Sequence, residues 1–406
     1  LYARATGDSR SAAEFYSRAI SDDPSNIELK RNAYRLTLAA GRVDEAVALA
    51  REIGSGGPND GLAPLSVAIS AIRSGKFEEA EEWLDQVPLS GMNILLQPVA
   101  MAWVRVGQGQ GDRAIEELET LRRSEQSKTF RLFHQALIQG LTEKPAEAEA
   151  AYRELIEDRA TRSLSAVQAF ANFLLRSGRR DEAVALLDEY LPPESGSALV
   201  EDARSVLEQD PPRPLVSSAA QGVGEALNGA ARFMAQNGDR ETATIYAQLA
   251  LYISPGLDSV RVLVGNLEES AQQWEAAIET YRTVPPGTPF GWNARLRIAA
   301  TLSRLEQTSE ARSLLRAMAD EQPQRTDALI QLGDLLRGEK QWRESADAYT
   351  RAIDRAGEPT EANWGYYYSR GIAFERAKRW PEAERDFLQA LELQPEQPQV
   401  LNYLGY

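Results

Sequence analysis

No cysteine occurs among the 406 residues, so disulfides, thiolate metal ligands and thiol nucleophiles are excluded. Histidine is almost missing too: His134 stands alone. A multi-histidine metal site cannot be built, and any Ser-His-Asp arrangement would have to use that one residue. Basic charge is in deficit, with 45 Lys and Arg against 60 Asp and Glu and a net charge of −15. This argues against nucleic acid or an anionic membrane surface as the main partner, since both require a basic face. No apolar run approaches the ~20 residues of a membrane span. The glycines of Gly107-Gln108-Gly109-Gln110-Gly111 lack the lysine and the preceding strand of a phosphate loop. The carboxylates Glu78-Glu79-Ala80-Glu81-Glu82 lack the Asp-x-Asp-x-Asp-Gly pattern of a calcium loop. No cofactor and no metal are therefore expected, and the chain leans away from catalysis towards a binding surface.

What the chain does have is a period. Ala12, Ala46, Ala80, Ala114 and Ala148 are each 34 residues apart, and Ala183 follows after 35. Ala243, Ala277 and Ala311 resume the step, Ser345 keeps it, and Ala383 comes 38 later. Prolines form a second ladder through Pro24 and Pro58, then Pro255, Pro289 and Pro323, with Pro395 closing the last full unit. Self-similarity held this long indicates a repeat architecture.

The clearest unit spans 363–395. Tyr367, Arg370, Gly371 and Phe374 share one helical stripe, and Ala383, Phe387 and Ala390 share a second. Small residues at Gly371 and Ala383 allow two antiparallel helices to approach closely. Pro381 suits the first turn of the second helix, and Pro395 ends it. Small residues recur at the Gly371 site in Ala68, Ala102, Ala136, Ala171, Ala231, Gly265, Ala299 and Gly333. Gly41, Gly75, Gly178, Gly238 and Gly338 fall in the turns between paired helices, where glycine is expected to supply a left-handed C-cap.

These residues resemble the tetratricopeptide repeat, a 34-residue helix–turn–helix unit. The 363–396 repeat matches nearly the whole family pattern, and 325–358 matches through Leu329, Leu332, Gly333, Tyr349 and Ala352. The early repeats depart from it, with Ala102 and Ala136 in place of the glycine and Pro98 in place of the first aromatic. The resemblance implies an all-α, right-handed superhelical solenoid of about ten helix pairs, starting near 27, 61, 95, 129, 164, 224, 258, 292, 326 and 364. Partial pairs are expected at both ends, so the helical pattern runs past Leu1 and Tyr406. Pro211-Pro212-Arg213-Pro214 interrupts the period. The expected organisation is therefore two arcs: an array over 1–196, a connector over 197–222 in which 198–209 can form one helix, and an array over 223–406.

In such arrays the first helix of each pair lines the concave face. By register, its ligand-facing sites in the early repeats are apolar: Leu62, Leu65 and Ile69, then Leu96, Val99 and Trp103, then Phe130, Phe133 and Leu137. A contiguous apolar strip marks a partner site if it is solvated; packing against neighbouring helices is the competing expectation. In later repeats the sites turn polar, through Asn228, Arg232, Asn266, Asn293, Arg297 and Gln331. Asparagine and arginine along a groove can hold an extended peptide by its backbone and carboxylates. The carboxylate clamp of some family members is incomplete here: Arg31, Asn32 and Arg35 stand on one helix, but the next offers Leu65, Ser66 and Ile69. His134 is expected to be a solvated or hydrogen-bonded helical residue with no catalytic role. Trp274, Trp342 and Trp380 share one register, which suggests packing over the turn.

The functional expectation is a non-catalytic scaffold for proteins or extended peptide segments. Residues 375–384 and 401–406 look like long repeat proteins of proteobacteria, some of them outer-membrane lipoproteins that hold a carboxyl-terminal processing protease. That resemblance implies a periplasmic adaptor, anchored through a lipid site before Leu1. The alternatives are a cytoplasmic assembly or regulatory scaffold, or the repeat region of an enzyme whose catalytic domain follows residue 406.

Overall fold

A computed structural model describes residues 9–54, 61–123, 127–159, 161–190, 204–208, 211–288 and 290–405. These residues hold α-helices and short 3-10 turns, with no β-strand among them. Pro289, Tyr406, and connector residues 197–203 and 209–210 lie outside the described residues.

The helices follow the period. After α1 (Ser9–Asp22) come the pairs α2 (Ile27–Ala39) and α3 (Val43–Ile53), α4 (Leu62–Arg73) and α5 (Phe77–Leu84), α6 (Asn93–Gly107) and α7 (Gly111–Glu119), α8 (Lys128–Leu141) and α9 (Pro145–Glu157), and α10 (Leu164–Arg176) and α11 (Arg180–Tyr190). Beyond the connector lie α12 (Ala219–Gln236), α13 (Arg240–Ile253), α14 (Asp258–Ser270), α15 (Trp274–Arg282), α16 (Gly291–Arg304), α17 (Thr308–Glu321), α18 (Asp327–Gly338), α19 (Trp342–Ala356), α20 (Trp364–Arg376), α21 (Trp380–Leu393) and α22 (Pro398–Leu404).

The alanine ladder is the packing seam. Ala46, Ala80, Ala114, Ala148, Ala183, Ala243, Ala277, Ala311, Ser345 and Ala383 are all completely buried. A methyl or hydroxymethyl group is the largest side chain that keeps paired helices this close. Two aromatic rings press into the facing sites. A β-carbon on Gly333 would come within 2.6 Å of Tyr349, and one on Gly371 within 2.7 Å of Phe387.

The turns run through a left-handed residue. Gly41, Gly75, Gly178 and Gly238 have φ between 71° and 82°. Gly338 does not: it is the last residue of α18, and Lys340 takes the left-handed conformation at φ 61°. Glu143, Gln272, Glu306 and Lys378 do the same in their own turns. The backbone path of the repeat dictates this conformation even where the residue has a β-carbon.

The chain divides into two compact units, Leu1–Leu191 with Ala203–Gln273, and Pro192–Asp202 with Trp274–Tyr406. The division therefore does not fall at 197–222, as the proline-rich break suggested. α12 and α13 belong to the first unit because they pack on its earlier helices: α12 on α4, α6 and α8, and α13 on α2, α3 and α4. Within the connector Arg204 is helical and Ser205–Glu208 form a 3-10 turn; the rest of the expected 198–209 helix lies outside the described residues. It is docked, not loose: Asn172 donates to the Arg213 carbonyl at 2.9 Å, Arg180 donates to the Leu207 carbonyl at 2.9 Å, and Val206 and Val216 are buried.

Candidate functional site

The apolar strip is a concave lining, and the chain's own α12–α13 hairpin covers it. Leu65, Ile69, Leu96, Val99, Trp103 and Leu137 are buried, and Leu62, Phe130 and Phe133 are half-buried. All share one apolar core with Val223, Leu227, Ile245, Leu249 and Ile253 of the hairpin. Burying each such side chain contributes roughly 1.5–3 kcal/mol. Leu65, Ile69, Leu96, Val99, Trp103 and Leu137 therefore offer an external partner no free surface in this structure, and Leu62, Phe130 and Phe133 only part of theirs.

Glycines in α12 make the fit. A β-carbon on Gly222 would fall 2.1 Å from the Trp103 indole, and one on Gly229 would fall 3.0 Å from the Phe130 ring. Seven residues apart, the two glycines lie on one helix face and receive aromatics from two consecutive repeats, α6 and α8. Glycine inside a helix is unfavourable by about 1 kcal/mol, so Gly222, Gly224 and Gly229 in one helix were a readable signal of close approach. At the α13 end the contact is polar. Tyr252 donates to Asp44 at 2.6 Å and meets the Ser70 hydroxyl at 3.2 Å, with the Arg73 guanidinium 4.1 Å above its ring. Arg35 pairs with Glu241 at 3.4 Å.

His134 lies inside this closed region. It is buried, its Nδ1 accepts a 3.1 Å hydrogen bond from Trp103 Nε1, and its ring packs on Phe130 and Phe133. Burial pushes its pKa down to about 3, so the imidazole is neutral. It is hydrogen-bonded as expected, but not solvated.

The polar positions are split between the units. In the first, Asn228 is buried and donates to Glu225 at 3.2 Å, while Arg232 and Asn266 are exposed. Burial pushes the Glu225 carboxyl above the usual range. In the second, Asn293 and Gln331 are half-buried, and Arg297 lies 3.4 Å from the Tyr281 hydroxyl. Arg297 is exposed as a residue, and partial desolvation of its guanidinium lowers its pKa from the ordinary value. The neighbouring Asp334 is occupied by Tyr349 at 2.7 Å and Arg337 at 2.9 Å.

Two concavities in the second unit were not read from the sequence. One, of about 480 Å³, is lined by Glu375, Arg376, Trp380, Asn402 and Tyr403. Trp380 is 41% exposed there, unlike its half-buried register mates Trp274 and Trp342. Its shared register pointed to packing, and only the spatial position of α22 distinguishes it. The other, of about 550 Å³, lies among α19, α20 and α21, where Arg370 forms a bidentate pair with buried Asp386, both bonds at 2.8 Å. Arg370 stands where Leu332 packs in the preceding repeat, and Asp386 stands at the site of Ala348. Among the described residues, no group of three or more His, Asp or Glu converges on a metal-sized site. No described helix is long and apolar enough to cross a membrane.

Residues 330–399 match the tetratricopeptide repeat family. No curated protein matches the chain. Among solved structures, the chain is similar to MamA from Desulfovibrio magneticus RS-1 at 20% identity, covering 43% of this chain and 96% of that one, with a TM-score of 0.36. A tetratricopeptide repeat protein from Parabacteroides merdae aligns at 14% identity over 69% of this chain and 98% of that one, TM-score 0.34. PilF of Pseudomonas aeruginosa aligns at 12% identity over 60% and 96%, TM-score 0.35. Residues 330–399 thus belong to the tetratricopeptide repeat family, and the described chain as a whole is an all-α array of helix pairs with that repeat's period.

Proposed function

We propose that this chain is a non-catalytic scaffold that binds extended segments of partner proteins through the second unit. The observation that carries this reading is the contrast between the two units. The apolar strip of the first is filled by α12–α13, whereas the second keeps an exposed indole, Trp380, beside Arg376 and Asn402. An aromatic face with a side-chain amide, beside Arg376 that pairs with Glu375 at 3.1 Å, suits a peptide with one apolar side chain and a polar backbone. Asn293, Arg297 and Gln331 extend the polar character along α16 and α18 of the same unit.

A finer reading makes the scaffold a periplasmic adaptor for a carboxyl-terminal processing protease. Its support is the resemblance carried by residues 375–384 and 401–406. The test is direct titration with such a protease or its carboxyl-terminal peptides, comparing the parent with Trp380→Ala and Arg376→Ala. The reading expects at least tenfold weaker binding in either variant, with an unchanged helical spectrum and melting temperature. Equal affinity in all three proteins would refute the site, and absence of binding to the protease would refute the adaptor role.

A further inference from the structure

The Trp103–His134 pair lies beneath the α12–α13 hairpin. Trp103 abuts Gly222 and Phe130 abuts Gly229, and the His134 ring touches both aromatics, with centroids 6.2 Å and 5.2 Å away. Because Trp103 donates to Nδ1, that nitrogen carries the lone pair and the proton sits on Nε2. Uptake of a second proton must occur at Nδ1. It would set two N–H donors against each other and leave a cation in an apolar core.

Among the described residues, the charged groups on the elements around His134 are engaged elsewhere. Arg105 on α6 is held by Glu81 and Glu117, and Asp112 on α7 by Lys144. Arg131 on α8 itself donates to Gln135. On α9, Glu149 is held by Arg179 and Glu154 lies by Lys128. Arg122, in the 3-10 turn before α8, pairs with Glu119. On α12, Glu225 accepts from Asn228, and exposed Arg232 lies near it. The imidazolium can be solvated only by opening the packing around it. α6 and α8 are tied into the array by α7 and α9, while α12 lies across α6 and α8 after the proline-rich connector and α13 lies on α2–α4, with α14 packed on the hairpin's other side.

We propose that His134 is a pH-sensitive lock on the hairpin: proton uptake at its Nδ1 releases α12–α13 from the groove of the first unit. The sign follows from linkage. The buried form holds the proton far more weakly than a solvated histidine, whose ordinary value is 6.5. Closure is therefore fully favoured above about pH 6.5 and loses support as pH falls from there towards 3. Each pH unit well inside that window multiplies the open population up to ~10-fold, so pH 4.5 gives up to ~50-fold more opening than pH 6.5.

The test is hydrogen exchange of the full chain, corrected for intrinsic rates, between about pH 6.5 and 4.5. Residues 219–253 are expected to gain up to ~50-fold in opening, with a much smaller change in α10–α11. In His134→Gln, which can accept from Trp103 but cannot be protonated, the excess should vanish. Should that variant fail to fold, the parent carries a second readout. It has one histidine, whose proton-resonance titration must track the opening of 219–253. Hairpin opening that is unchanged by pH, uniform across the first unit, identical in His134→Gln, or uncoupled from the histidine titration overturns the proposal.

Discussion

The indole of Trp103 occupies the space that a side chain on Gly222 would need, 119 positions further along the chain. One end of this relationship lies on the first helix of an early repeat, and the other on the helix that follows the proline-rich break. Through it the groove of the first unit receives a helix from the same chain, with Phe130 and Gly229 repeating the fit one repeat later.

Lys340 holds a backbone conformation that favours glycine, at φ 61°, and is exposed. A left-handed residue with a β-carbon is strained by roughly 1 kcal/mol. Lys340→Gly should therefore raise stability by about 0.5–1 kcal/mol in urea unfolding. Gly178→Ala, at φ 74°, should lower it by a similar amount. A loss of stability in Lys340→Gly would show that its side chain contributes more than its backbone costs.

The Arg370–Asp386 pair replaces an apolar contact, and the Asp386 side chain is only 8% exposed. Asp386→Ala alone leaves a desolvated guanidinium and should cost about 3 kcal/mol. The double change Arg370→Leu with Asp386→Ala restores the residues of the preceding repeat and should be close to neutral. Chemical unfolding of the two variants decides it: equal losses in both would mean that the pair contributes nothing beyond its packing.

Ala80 and Ala148 have no exposed surface. Ala80→Leu or Ala148→Leu should overpack a helix pair and cost on the order of 1–3 kcal/mol. Variants as stable as the parent would remove the alanine ladder from the contact seam.

The fold was legible because its cause is local and repeated. Ala46 through Ala383 mark a seam at a fixed step, and the expected helix starts at 27, 164, 258 and 364 coincide with Ile27, Leu164, Asp258 and Trp364. The placement of the hairpin was not legible. Trp103 and Phe133 fall in the ligand-facing register whether the occupant comes from another protein or from this chain, and period carries no information about which. Only the glycines of α12 encoded the answer, through a steric match to residues more than ninety positions away. The exposure of Trp380 was hidden for the opposite reason: its register equals that of Trp274 and Trp342, while its surroundings differ.

The central claim is that α12 closes the groove of the first unit, and a double-mutant cycle between Gly222 and Trp103 tests it most directly. In the parent, Gly222→Ala should cost about 1–3 kcal/mol, because the new methyl group meets the indole. In a Trp103→Leu background, where that space is free, the same change should be neutral or stabilising by up to ~1 kcal/mol, as expected for alanine over glycine in a helix. Effects of Gly222→Ala that agree between the two backgrounds within about 0.5 kcal/mol would contradict the contact, and with it the closed groove.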